Sequence, residues 1–160
     1  MVRNKKIFFS ILPLMMIVLF MSDTPLTPQP GQSRGQTVYV PAYSHIYHGD
    51  RNQWFNLTVT LSIRNIDMTG KISVDSVNYY NSSGRMLKRY QNQPKVLGPL
   101  ESIRFIIPES DAFGGSGANF IVTWSAAEKV NNPIIEAVMI GSRQQQGISF
   151  VSRGRAILEK

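Results

Sequence analysis

The stretch that decides the fold is Trp54-Phe-Asn-Leu-Thr-Val-Thr-Leu-Ser-Ile-Arg-Asn65. Phe55, Leu57, Val59, Leu61 and Ile63 fall on one side of an extended chain, and Asn56, Thr58, Thr60, Ser62 and Arg64 on the other. A side-chain period of two is that of a β-strand with one dry and one wet face. At roughly 3.3 Å per residue such a strand crosses a whole domain. The remaining segments are therefore read as strands that cover its apolar side.

Downstream, residues 72–81 share that character but switch phase. Ile72 and Val74 point one way, Val77 and Tyr79 the other, so a β-bulge is expected near Asp75 and Ser76. Asn81-Ser-Ser-Gly84 is a turn, and with residues 86–90 it closes a β-hairpin. Residues 94–99 read as a connection. Residues 100–107 alternate through Ile103, Phe105 and Ile107 and stop at Pro108. A loop over 109–117 ends in Gly114-Gly-Ser-Gly117, and a strand over 119–126 follows, with Phe120, Val122 and Trp124 in phase. Residues 134–142 are apolar on both faces apart from Glu136, which suits a central strand. Residues 147–152 and 156–158 close the chain. Upstream, residues 37–41 form a short strand ending at Pro41, and residues 42–53 read as a loop. No helical apolar repeat is long enough in this body, and the nearest candidate, 125–130, is too short. About eight short strands separated by Gly and Pro turns, without crossover helices, predict an all-β fold. The expected form is an antiparallel β-sandwich, Greek key and immunoglobulin-like in broad architecture, with a small β-barrel as the alternative.

The N-terminus has a different composition. Arg3, Lys5 and Lys6 precede an apolar run, Ile7 to Met21, interrupted by Ser10 and Pro13. Charge followed by an apolar segment is the order of an export signal. The 15-residue run spans about 22 Å as helix, short against a hydrocarbon core of roughly 30 Å. Residues 1–24 are accordingly read as a signal peptide, cut after Thr24, or as an N-terminal membrane anchor through residues 7–21. Residues 25–36, rich in Pro and Gly, read as a flexible linker, and 37–160 as a single domain. The expected location is exported: periplasmic, or extracytoplasmic and membrane-associated.

Composition restricts the chemistry. There is no cysteine among the 160 residues, which removes disulfides, thiolate nucleophiles and Cys-type zinc or iron–sulfur sites. The net charge is +7, and from Arg34 onward 14 Lys and Arg face nine Asp and Glu. A modest excess spread over the body favours loose association with phospholipid head groups or acidic polymers. Nucleic-acid binding calls for clustered basic residues interleaved with aromatics. The tightest groups, 85–89 and 153–155, read as solvated strand ends, so no nucleic-acid partner is expected.

The motifs Val38-Tyr-Val-Pro-Ala-Tyr-Ser-His-Ile-Tyr-His-Gly49, Leu61-Ser-Ile-Arg-Asn65, Gly114-Gly-Ser-Gly-Ala-Asn-Phe120, Glu136-Ala-Val-Met-Ile140 and Gln146-Gly-Ile-Ser-Phe150 resemble a small bacterial family of exported or envelope-attached domains of uncharacterised function. The resemblance spans about 36–157. It implies a bacterial, extracytoplasmic domain and carries no activity.

The segment with most chemistry is His45-Ile-Tyr-His48-Gly-Asp50. His45, His48 and Asp50 could supply ligands to a divalent transition metal, with Asp111 or Glu136 as a fourth. In an extended strand the two histidines would point to opposite faces, so the site needs a turn. The plainer reading is a hydrogen-bonded loop packed on the sheet rim, and no cofactor is the default. A second candidate is a ligand or partner loop made of Asp111, Gly114, Gly115 and Ser116, with Trp54 as an exposed aromatic. Its plainer reading is a tight strand connection, since the Lys and following helix of a phosphate loop are missing. No catalytic residue is assigned: the chain has no nucleophile elbow, and its only two histidines are near-neighbours in sequence. The leading expectation is a non-catalytic binding module of the cell envelope whose partner is an envelope protein or polymer. A small metal-binding envelope protein comes second and a hydrolase third.

Overall fold

The computed structural model describes residues 31–50, 53–143 and 145–159; the expected signal or anchor lies outside them. The described chain forms β1 (Gln32–Pro41), β2 (His45–His48), β3 (Gln53–Asn56), β4 (Thr58–Arg64), β5 (Ile72–Tyr80) and β6 (Met86–Gln91). It continues as β7 (Lys95–Leu97), β8 (Ser102–Ile107), β9 (Asn119–Asn131), β10 (Ile134–Arg143), β11 (Gln146–Arg153) and β12 (Arg155–Glu159). One sheet runs β12-β1-β9-β5-β6, with β7 also on β5; a second runs β11-β10-β4-β8; β2 and β3 make a separate two-stranded ribbon. Every pairing is antiparallel. The two large sheets keep open edges and do not close into a barrel, so the molecule is an antiparallel β-sandwich.

The alternation of the opening stretch holds along its whole length: Leu57, Val59, Leu61 and Ile63 are fully buried and Phe55 nearly so. They meet Ala137 and Met139 of the neighbouring β10, and Val38, Val40, Phe120, Val122 and Trp124 from the opposite sheet in a single core. Trp124 is therefore a core residue, as its phase predicts. The stretch is nevertheless two strands. The Leu57 N–H leaves the ladder and donates to the Ser44 carbonyl (2.9 Å), which lets residues 53–56 swing away and pair with β2 instead. The side-chain period survives because the backbone stays extended through the switch.

Other expectations are met or corrected in the same terms. The β5–β9 register shifts between Val74 and Ser76, where the phase switch lies. Asp75 at that bulge accepts a hydrogen bond from the Ser125 hydroxyl (3.1 Å). The β5–β6 hairpin turns at Gly84, φ +74°. Residues 32–36 are not a tether: they open β1, where Gln32 pairs with Asn131 and Ser33 with Val130. Backbone pairing needs no apolar side chains, and the buried Ser33 hydroxyl donates to Asn132 Oδ1 (2.7 Å), so a polar composition did not reveal the strand. Residues 42–53 hold most of a hairpin rather than a plain loop, β7 lies in the expected 94–99 connection, and β9 absorbs 125–130.

The β4–β5 connection is held by side chains. Asn65 Nδ2 donates to the carbonyls of Gly70 (2.8 Å) and Gly98 (2.8 Å), while its Oδ1 accepts from Asp67 N–H (3.0 Å). Asp67 accepts from the N–H groups of Thr69 (3.0 Å), Gly70 (2.7 Å) and Asn131 (2.9 Å). Those backbone donors, Asn131 first, pull its pKa down to about 2. A carboxylate depressed in the folded state stabilises fully above the ordinary carboxylate range and loses that contribution as pH falls toward the folded pKa. The urea midpoint is therefore expected to drop between about pH 4 and pH 2. Asp67→Asn should start from a lower midpoint at pH 6 and lack that part of the acid loss. Equal acid profiles for the two proteins would refute this linkage.

Candidate functional site

The β2–β3 ribbon sorts the expected metal ligands by register. His45 faces Asn56 and Tyr47 faces Trp54, which puts these four on one face; Ile46 faces Phe55 and His48 faces Gln53 on the other. The two imidazoles therefore point in opposite directions. His45 is 3% exposed and lies flat on the Trp54 ring (centroids 4.2 Å, planes 5° apart), with Tyr47 edge-on to it at 5.3 Å. Among the described residues neither His45 ring nitrogen has a hydrogen-bond partner, and burial holds its pKa below the ordinary histidine value, so at neutral pH it is an uncharged spacer behind the tryptophan. His48 instead meets Phe55 edge-on at 6.0 Å, and Asp50 follows in an exposed turn after Gly49, φ +65°. Glu136 lies on the outer face of β10 beside Arg64 (3.8 Å). Among the described residues no three His, Cys, Asp or Glu side chains converge as a metal site.

The glycine loop uses its own amides. Gly115, φ +83°, donates its N–H to Ser44 Oγ (2.8 Å), and Gly117 donates to Ser82 Oγ (2.9 Å). Asp111 Oδ1 accepts from Phe113 N–H (3.2 Å). A Cβ on Gly114 would clash with the Tyr79 hydroxyl. Burial, and then the nearby Asp111 carboxylate, push the Tyr79 pKa upward. Ser116 is half-buried beside these latches. The loop therefore ties β5, β9 and the start of β2 together, with two of its glycine N–H groups already taken by serine hydroxyls.

Trp54 belongs to a different surface. It is 55% exposed and Tyr47 is 51% exposed. Arg143, the last residue of β10, reaches back and donates Nη1 to the Trp54 carbonyl (3.4 Å). Two hollows meet at that arginine. One, of 340 Å³, is bounded by Trp54, Phe55, Asn56, Glu109 and Arg143. The other, of 560 Å³, is bounded by His48, Gln53, Phe55, Arg143, Gln146 and Ile148. The ribbon sits this close to β10 because position 141 is glycine: a Cβ there would lie 2.5 Å from Phe55 Cε1 and 2.6 Å from the Asn56 carbonyl oxygen.

Sequence reading found Trp54 but missed Arg143, Glu109 and Asn56. Arg143 and Glu109 lie far from Trp54 in the chain, which leaves no spacing to detect. Asn56 is two residues from Trp54 but reads only as one polar residue of a wet strand face, and an exposed tryptophan out of phase with Phe55 was the usable signal. A family model described as a protein of unknown function, DUF3124, matches residues 35–157. The chain belongs to the DUF3124 family. The match runs from β1 to β12, so one DUF3124 domain accounts for the sandwich. No curated protein matches this DUF3124 chain. A crystal structure of Thermotoga maritima 1070 is similar over 80% of this chain and 97% of that one, with a TM-score of 0.46 at 6% identity. Likeness of that degree carries no functional argument.

Proposed function

We propose that this DUF3124 domain is a non-catalytic, exported binding module of the bacterial cell envelope, and that it recognises an envelope component through the β2–β3 ribbon. The observation that carries the reading is the half-exposed Trp54, braced from behind by the neutral His45 ring and bordered by Arg143, Asn56 and Glu109. A rigid aromatic plate presents apolar area at little conformational cost, and adjacent donors and acceptors fix orientation. That combination suits a saccharide ring, whose C–H face stacks on an indole while its hydroxyls meet a guanidinium, an amide and a carboxylate. Export rests on the order of charge and apolar residues before residue 22.

Sedimentation with isolated envelope polysaccharide, peptidoglycan and lipopolysaccharide tests the reading. Wild-type protein is expected to bind at least one of them saturably. Trp54→Ala should weaken that binding at least roughly tenfold, the order set by losing one well-packed aromatic contact, with unchanged melting. Binding that ignores both Trp54→Ala and Arg143→Gln would refute the site. The absence of binding to all three would refute the saccharide.

A further inference from the structure

The outer face of the β11-β10-β4-β8 sheet presents an arrangement that the ribbon site does not use. Register places Arg153, Glu136, Ser62 and Arg104 in one row across the four strands, and Val151, Val138, Thr60 and Ile106 in the next. Ile140 and Arg64 extend the two ends. Ile106, Ile140 and Val151 are each at least half exposed. Glu136 is already matched by Arg64 at 3.8 Å. Arg104 and Arg153 have no carboxylate within ion-pair distance among the described residues. Beside Arg104 and Arg64 is Leu100, the third residue of the turn Gly98-Pro99-Leu100-Glu101, which is closed by Glu101 N–H on the Gly98 carbonyl (3.1 Å). That position demands positive φ and favours glycine, yet Leu100 holds φ +59° and is 62% exposed. With Arg64, Arg104 and Val138 it lines a 420 Å³ hollow. A leucine kept in a strained conformation to present an aliphatic tip beside two arginines points to a surface that something covers.

We infer that this face docks on a bilayer surface of anionic phospholipid, with Arg64, Arg104 and Arg153 on the phosphates and Ile106, Ile140, Val151 and Leu100 among the head groups. Three observations choose that occupant. The face carries a net positive charge, so a second copy stacked on it meets like charge. An acidic polypeptide would explain the arginines but not the exposed aliphatics between them. The domain also begins at the arginine end: the Gly31 carbonyl accepts from Asn132 N–H (2.9 Å), two residues before Ile134, which pairs with Arg64. Residues 22–30 can span at most about 30 Å, so a bilayer holding the apolar run Ile7–Met21 is within reach of this face. One marginal apolar segment anchors weakly, and a basic patch is the second signal that makes attachment stable. The inference is independent of the ribbon site.

Flotation of the full chain with vesicles tests it, comparing pure phosphatidylcholine with phosphatidylcholine containing 30% phosphatidylglycerol. The parent chain and its variants all carry Arg3→Gln/Lys5→Gln/Lys6→Gln, so that the N-terminal segment contributes equally to both vesicles and the difference between them reports the charge of the folded domain. Phosphatidylglycerol is expected to raise affinity roughly 30-fold at low salt, the effect of two net charges at the surface, falling as salt is added. The triple variant Arg64→Gln/Arg104→Gln/Arg153→Gln should abolish that increment and keep the phosphatidylcholine binding. The double variant Arg89→Gln/Arg155→Gln, on the other sheet, should keep the increment. Ile140→Ser/Val151→Ser should lower affinity for the anionic vesicles several-fold. Equal binding to both vesicles, an increment that survives the triple variant, or one that the double variant removes equally overturns the inference. Indifference to the two serine substitutions overturns the bilayer as occupant.

Discussion

Replacing Asn65 with leucine is expected to lower the unfolding free energy by about 3–4 kcal/mol. Asn65 is 1% exposed, and its amide donates to the carbonyls of Gly70 and Gly98, with a longer contact to that of Leu97 (3.4 Å). Its carbonyl accepts from Asp67 N–H. One side chain thus satisfies backbone groups in two separate connections, one leading into β5 and one following β7. A leucine of similar volume fills the space but leaves those groups buried without partners, and desolvated polar groups are expensive to leave unpaired. The change should also release Asp67, whose own bonds organise the same connection, so the two substitutions are expected to be less than additive. Urea unfolding of Asn65→Leu, Asp67→Asn and the double variant measures this. A loss under about 1 kcal/mol for Asn65→Leu would mean that the connections rehydrate and that Asn65 does not anchor them.

Gly154→Val is expected to be comparably damaging, for a steric reason. At Gly154 the chain passes from β11 in one sheet to β12 in the other, and its N–H donates to the Ile135 carbonyl (2.8 Å). A Cβ there would lie 2.7 Å from that carbonyl oxygen and 2.7 Å from Val38 Cγ1. The oxygen belongs to the central strand β10 and cannot move aside, so β12 must lift from β1. About 2–3 kcal/mol is expected for alanine and more for valine. Amide hydrogen exchange over residues 155–159 should accelerate more than over β9. Gly147→Ala in β11 is the control: among the described residues no atom lies within 4 Å of its added Cβ, so its effect should stay within about 0.5 kcal/mol. Equal exchange in β12 of the wild type and Gly154→Val would show that the strand is held by other contacts.

Much of this fold was legible because strand periodicity is a local property. The burial of Leu57, Val59, Leu61 and Ile63, the bulge at Asp75 and the turn at Gly84 all follow from residues that are neighbours in the chain. So does the central place of β10, whose two faces are both largely apolar. The misplacements share the opposite cause. Residues 32–36 owe their pairing to backbone hydrogen bonds with the distant β9, and their polar composition gave no periodic signal. β2 and β3 pair locally with each other, but the mixed composition of 42–53 concealed the first of those strands. His45 and His48 were grouped because they are close in sequence, while a strand register turns them apart.

From the chain alone come the all-β class, the dry face of the 54–65 stretch, the absence of thiol chemistry and the membership of Trp124 in the core. Each depends on residue type and on a period of two, which need no knowledge of partners. Only the tertiary structure decided that the stretch splits at Leu57, that the glycine loop spends amides on Ser44 and Ser82, and that Arg143 and Glu109 flank Trp54. It also decided that three arginines share one open face. Those are pairings between residues far apart in the chain, and their geometry is set by sheet register and by how closely backbones approach at Gly141 and Gly154.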